Sequence, residues 1–162
     1  MQTNYLDPTS FKVAVSRLPN VEFFTRRAII PGVTMSPVAR PSPIRNLYET
    51  ADRLEYAELD LSFVVDENMA NYQEILYWME SLGKSETTDQ FARLEKADEG
   101  IVSDVTIIVE NSNKNPNMLF TFTDCFPTIL SPLSLDITQQ DIVYPEATVT
   151  MRHNGFKLTQ VS

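Results

Sequence analysis

SFVVDENMANYQEILYWMESLG, residues 62–83, begins as a strand and ends as a helix. Asp66, Glu67 and Asn68 stand at the changeover. Extended upstream, EYAELDLSFVVD (55–66) sets Leu59, Leu61, Phe63 and Val65 on one face and Glu58, Asp60 and Ser62 on the other. At ~3.3 Å per residue such a strand runs to roughly 40 Å, about twice the usual length. One apolar and one acidic face predicts an antiparallel sheet wetted on one side. Downstream, Tyr72, Ile75, Leu76, Met79 and Leu82 recur at the spacing of one helical face, which predicts a helix over about 68–83. Asn68 or Asp66 is its expected N-cap and Gly83 its stop. Asp66 and Glu67 then meet the positive end of a helix dipole. That structural reading competes with a catalytic or metal-binding pair.

Around this centre the chain reads as β-rich. FKVAV (11–15) alternates as a strand; VEFF (21–24) and RRAIIPGV (26–33) are weaker strand candidates. DVTIIVE (104–110), the turn NSNKNPN (111–117) and MLFTFTD (118–124) predict a hairpin with Met118, Phe120 and Phe122 inward. CFPTILSPLSLDI (125–137) reads as irregular β, broken by Pro127 and Pro132. EATVTMR (146–152) alternates again, and Asn154-Gly155 signals a second hairpin. Two stretches lack apolar period. Residues 1–10 read as an N-terminal arm. Residues 34–54 carry Pro37, Pro41 and Pro43, which favour extended backbone, and read as a long loop that either packs on a partner or covers the surface. The charged run 84–100 allows a short surface helix near 88–96.

Composition narrows the function. The 162 residues are expected to form one domain, and the net charge is -9. Such an acidic chain is poorly suited to gripping phosphates. Its single cysteine, Cys125, cannot form an intrachain disulfide, which fits a reducing compartment. MQTNYLDPTS lacks the apolar core of a signal peptide, and no run approaches the ~20 apolar residues of a membrane span. His153, the only histidine, stands beside the Asn-Gly signal and reads as solvated. One cysteine and one histidine argue against a protein-built zinc site; Cys125 reads as a buried small hydrophobe. Glu58/Asp60, Asp66/Glu67 and Asp98/Glu99 are adjacent carboxylates with nothing to mark one pair as catalytic. Four glycines leave little for a phosphate cradle. Arg26-Arg27 reads as a local surface or interface charge, and Tyr72, Tyr77 and Trp78 as packing residues. No catalytic, cofactor-binding or metal-binding residue is expected, so the residues favour a structural or binding protein over an enzyme. Sheet edges in such a protein can be satisfied by identical neighbours in a closed ring.

Three stretches carry a resemblance, in order: SRLPNVEFFTRRAIIPGVTMSPVARPSPI, LEYAELDLSFVVDENMANYQEILYWMESLG and SDVTIIVENSNKNPNMLFTFTDCFPTILSPLSLD. Over about residues 11–152 the chain resembles tail tube and tube-like structural proteins of contractile-tailed bacteriophages. The resemblance implies a mainly β, α+β fold of two packed antiparallel sheets, a sandwich or half-barrel, flanked by one helix. It implies six copies in a ring whose inner strands make a β-barrel, and rings stacked around the DNA path. The loop 34–54 would reach an adjacent ring, with Pro37, Pro41, Pro43, Leu47 and Tyr48 as contact residues. Glu58 and Asp60 would face the lumen and repel DNA. Tail sheath and baseplate proteins would be partners, while tape-measure protein and DNA pass through unbound, with no membrane. The protein would sit in the virion tail after synthesis in the bacterial host cytoplasm. Three alternatives stand beside the tube subunit: a tube-like baseplate or tail-terminator protein, a monomeric β-sandwich adaptor, and a small acidic hydrolase or lysin.

Overall fold

The computed structural model describes residues 5–50, 53–83, 100–138 and 143–161. The expected helix at 88–96 and the pair Asp98/Glu99 lie outside them.

The elements run β1 (Phe11–Val15), α1 (Pro19–Phe24), β2 (Thr25–Ile29), β3 (Val33–Met35), β4 (Val38–Arg40), β5 (Leu47–Glu49) and β6 (Leu54–Tyr56). Then follow β7 (Leu59–Val64), α2 (Ala70–Leu82), β8 (Ser103–Glu110), β9 (Pro116–Leu130), β10 (Glu146–Arg152) and β11 (Gly155–Gln160). The main path of hydrogen-bonded strands is β1-β8-β9-β10-β7-β2, with β11 also paired to β9. Every pairing is antiparallel. The path ends at β1 and β2, so the strands do not close into a barrel within one subunit. The fold is mainly β, as expected.

β9 joins the two sheets. Its first half lies between β8 and β11, and its second half pairs with β10. β10 and β11 follow β9 in one register: Arg152 stands opposite Phe126 and Gly155 opposite Thr123. The Asn154 amide donates to Thr123 O at 3.1 Å across the junction. Asn154-Gly155 is therefore not a hairpin turn. The local turn signal is overridden by continuous pairing along β9, and the junction is where the ribbon changes sheets. Asp124 takes the matching corner in β9 with φ 55, a left-handed conformation that Asp tolerates better than most residues. Pro127 does not break β9; it is buried in the strand beside an irregularity in the β9–β10 register, where a missing N–H is tolerated.

The core lies between the sheets. Val13, Val15, Val105, Ile107 and Phe122 meet Leu59, Leu61, Phe63, Ala147, Val149 and Met151, all buried. Each large side chain contributes about 1.5–3 kcal/mol by leaving water. The alternation read in β7 is observed, with Leu59, Leu61 and Phe63 fully buried and Val65 just beyond the strand also in the core. The expected 12-residue strand is not: it divides at Ala57-Glu58 into β6 and β7. VEFF is helical rather than extended, with Pro19 at the first position of α1, where a missing N–H costs nothing.

α2 ends at Gly83 as expected, but its start differs. Neither Asn68 nor Asp66 caps it with a side chain. Met69 is the N-cap, at φ 54. Asn71, fully buried, supplies the polar closure instead. Its Oδ1 accepts from the Asp66 amide at 3.2 Å and the Tyr72 amide at 2.9 Å, and its Nδ2 donates to Val64 O at 2.7 Å. Of the expected face, Ile75 is buried and Tyr72, Met79 and Leu82 pack partly buried on the core, but the most buried line is rotated to Asn71, Ile75, Trp78 and Ser81, and Leu76 is 39% exposed. Trp78 is anchored on this face: its Nε1 donates to Ile101 O at 3.2 Å and the Arg17 guanidinium lies 5.1 Å from its ring centre.

Candidate functional site

Residues 33–50 and 53–56 form an arm of paired strands rather than an irregular loop. β3 pairs with β6 (Val33 opposite Tyr56, Met35 opposite Leu54), and β4 pairs with β5 (Val38 opposite Glu49, Arg40 opposite Leu47). The two short ladders are separated at Ser36-Pro37, where proline offers no backbone donor. Three-residue strands are too short to leave an alternating signature, which is why the sequence reads as loop. Arg40 Nη1 pairs with Glu49 Oε1 at 3.0 Å.

The described residues of the arm are mostly exposed. Met35 is 58%, Tyr48 70% and Ile44 94% accessible, with Val33, Val38, Leu47 and Leu54 also exposed. Apolar side chains gathered on one projection mark an interaction surface. The residues expected to make subunit contacts divide cleanly: Leu47 and Tyr48 lie on β5, Pro37 joins β3 to β4, and Pro41 and Pro43 lie in the connection at the tip, all exposed.

The second surface is the face of β7 and β10 turned away from the core, and hydrogen bonds fix it. Thr150 Oγ1 donates to Asp60 Oδ1 at 2.6 Å. The Ser62 and Thr148 hydroxyls lie 2.9 Å apart, and Thr128 Oγ1 donates to Thr150 O at 3.1 Å. Arg26 Nη1 meets Glu146 Oε1 at 3.2 Å. Glu58 is not on β7; it precedes the strand and accepts from Arg152 Nε at 2.7 Å. The structure thus puts Asp60 on the wet face, and ties Glu58 to a cation at the arm's root.

The remaining candidates take structural places. Asp66 and Glu67 lie in the bend before α2, where Asp66 O accepts from the Met69 amide at 2.8 Å. Cys125 is buried, and burial, with smaller contributions from Asp104 and Asp124, pushes its thiol up to about 12. His153 is half-buried rather than freely solvated. Its Nε2 is 3.0 Å from Ala57 O, and its ring lies among Tyr56, Phe122 and Phe156. Ahead of β1, Asp7 accepts from the Thr9 hydroxyl at 2.7 Å, the Thr9 amide at 2.9 Å and the Ser10 hydroxyl at 3.0 Å. The Thr9 hydroxyl, first among these bonds, holds its carboxyl below the ordinary 3.8. Among the described residues no group of three or more His, Cys, Asp or Glu is placed to hold a metal, and no helix is long and apolar enough to cross a membrane.

A family model described as phage tail tube protein matches residues 3–159. No curated protein sequence is similar enough to count as a match. Among solved structures, the tube-terminating cap of the anti-feeding prophage has a TM-score of 0.71 at 13% identity, covering 99% of this chain and 95% of that one. A chain of the anti-feeding prophage baseplate gives 0.63 at 17%, covering 98% and 97%. A chain from the sheath–tube complex of an extracellular contractile injection system, in its extended state, gives 0.62 at 14%, covering 98% and 94%. At these identities the likeness establishes the fold.

Proposed function

This chain belongs to the phage tail tube protein family, and on that footing we propose that it is a structural subunit whose six-membered rings stack into a hollow conduit for DNA. The observation that carries this reading is the family match over residues 3–159. Membership puts the protein in a virion or phage-like particle and gives it a structural role. The finer reading is synthesis in the host cytoplasm, no enzymatic activity, and sheath and baseplate proteins as neighbours. Tape-measure protein and DNA would pass through without specific binding.

The geometry supports such a subunit in two ways. The chain presents open strand edges at β1 and β2, which a ring of identical copies can pair. It also presents an exposed apolar arm, suited to a neighbouring ring, on which Leu47 and Tyr48 are the prime contacts. The wet face of β7 and β10 is the candidate lumen surface. Asp60 then contributes more to repelling phosphate than Glu58, because Arg152 offsets the Glu58 charge at 2.7 Å. In one domain spanning 1–162, residues 1–10 serve as a terminal arm and 34–54 as the inter-ring contact.

A second reading has a specific observation behind it. The TM-score to the tube-terminating cap, 0.71, exceeds the 0.62 to the sheath–tube chain. A terminator uses the same ring and stops it from growing. Sedimentation and negative-stain microscopy of the purified protein over a concentration series test both. Open-ended tubes support the main subunit, single rings support the terminator, and monomers at every concentration, with and without tube seeds, overturn both.

A further inference from the structure

The arm's root is held by side-chain contacts where the backbone ladder stops. β7 pairs with β10 as far as Leu59 opposite Met151, and there the backbone ladder stops because the chain before Leu59 leaves for the arm. Continued in the same register, Glu58 would face Arg152 and Ala57 would face His153. Side chains replace the missing ladder at those places. Arg152 Nε donates to Glu58 Oε1 at 2.7 Å, and His153 Nε2 donates to Ala57 O at 3.0 Å. A carbonyl only accepts, so Nε2 carries the ring proton. Nδ1 is buried without a partner. The ring is therefore held by one polar anchor and by aromatic neighbours: Tyr56 at 5.8 Å, Phe122 at 5.1 Å and Phe156 at 6.2 Å between centres.

Tyr56 completes the clamp from the arm's side. It is the last residue of β6; its ring stands edge-on to Phe156 at 5.6 Å and 3.5 Å from the place a Cβ on Gly155 would occupy. Ala57 has both backbone groups engaged, its N–H with Gly32 O at 3.0 Å across the arm's neck and its C=O with His153. On the other side of the neck Pro31 is buried, and the space beside the Gly32 Cα is open, with nothing within 4 Å of where a Cβ would stand.

We propose that His153 is a positioning residue that fixes the direction in which the arm leaves the body of the isolated subunit. Between the last β2–β7 pair, Ile29 opposite Asp60, and the first β3–β6 pair, Val33 opposite Tyr56, the Ala57–Gly32 bond spans the neck, and without a further hold the arm would pivot there. Fixing the direction beforehand lowers the ordering cost when the arm docks. The inference concerns the single chain and does not depend on what the arm docks against.

The test is a distance distribution between spin labels at Arg45→Cys, near the arm's tip, and Glu80→Cys, on the exposed side of α2, in a Cys125→Ala background at dilution. The expected result is one narrow peak, lost in His153→Ala while the melting temperature of the body is retained. His153→Gln, which keeps a donor for Ala57 O, should restore a narrower peak than Ala. Tyr56→Leu removes the clamp from the arm's side, leaves His153 in place, and carries the test if His153→Ala does not fold. Peaks as narrow as the parent's in the Ala and Leu variants, a broad peak in the parent, or a Gln variant as broad as Ala would each overturn the proposal.

Discussion

Asn154 Nδ2 donates to Asp124 Oδ2 at 2.9 Å, joining the two residues at which the long ribbon turns from one sheet into the other. The Asp124 amide in turn donates to Asp104 Oδ1 at 3.2 Å, so three chain segments are fastened at one corner. Asp124 sits at φ 55. Asp124→Asn keeps both the acceptor and the tolerance for that conformation, and should leave stability nearly unchanged. Asp124→Val loses both, and should cost about 1–3 kcal/mol in urea unfolding. Equal stability of the Val and Asn variants would refute the corner's role.

The rotation of α2 makes a second prediction. Ile75 is fully buried and Leu76 is not. Ile75→Ala should cost about 2–5 kcal/mol, and Leu76→Ala less than about 1 kcal/mol, by thermal or urea unfolding. The reverse order would return the helix to the face expected from its spacing alone.

Burial of Cys125 predicts its reactivity. A thiol pushed up to about 12 is almost wholly protonated at neutral pH, and the thiolate is the reactive form. Native protein should react with a thiol-specific dye only as fast as it unfolds, and immediately in denaturant. Fast labelling of the native chain would place Cys125 at an accessible surface.

The Asp7 turn predicts a pH response. Its folded pKa lies below the ordinary 3.8, so the turn's contribution is complete above that value. It is lost as the pH falls through the lowered pKa. The Thr9 amide resonance should titrate below 3.8, and Asp7→Ala should abolish that titration. A Thr9 amide that stays fixed on acidification would show that the turn does not depend on the carboxylate.

What was legible in the sequence was local. Leu59, Leu61 and Phe63 alternate because β7 has one dry face, and Gly83 stops α2 where it was expected to. What was not legible depended on partners distant in the chain. Asn154-Gly155 is a strong turn signal, yet Thr123 lies opposite and the ribbon continues. Pro127 reads locally as a strand breaker, yet β9 runs through it because it lies beside an irregularity in the β9–β10 register. Asn71 gave one faint clue, an asparagine early in a helix, and its three hydrogen bonds are set by Val64 and Asp66 as well as Tyr72. Pro37, Pro41 and Pro43 correctly pointed to an extended segment, but not to the strands β3 to β6, whose ladders are too short to pattern the sequence.

The most direct test of the tail-tube account is a cryo-electron microscopy reconstruction of the assembled protein. The account predicts six-fold rings with the β7–β10 face lining a hollow bore and each arm, through Leu47 and Tyr48, contacting the next ring. An assembly in which the β7–β10 face lies outside, or in which the arm touches no other subunit, would contradict it.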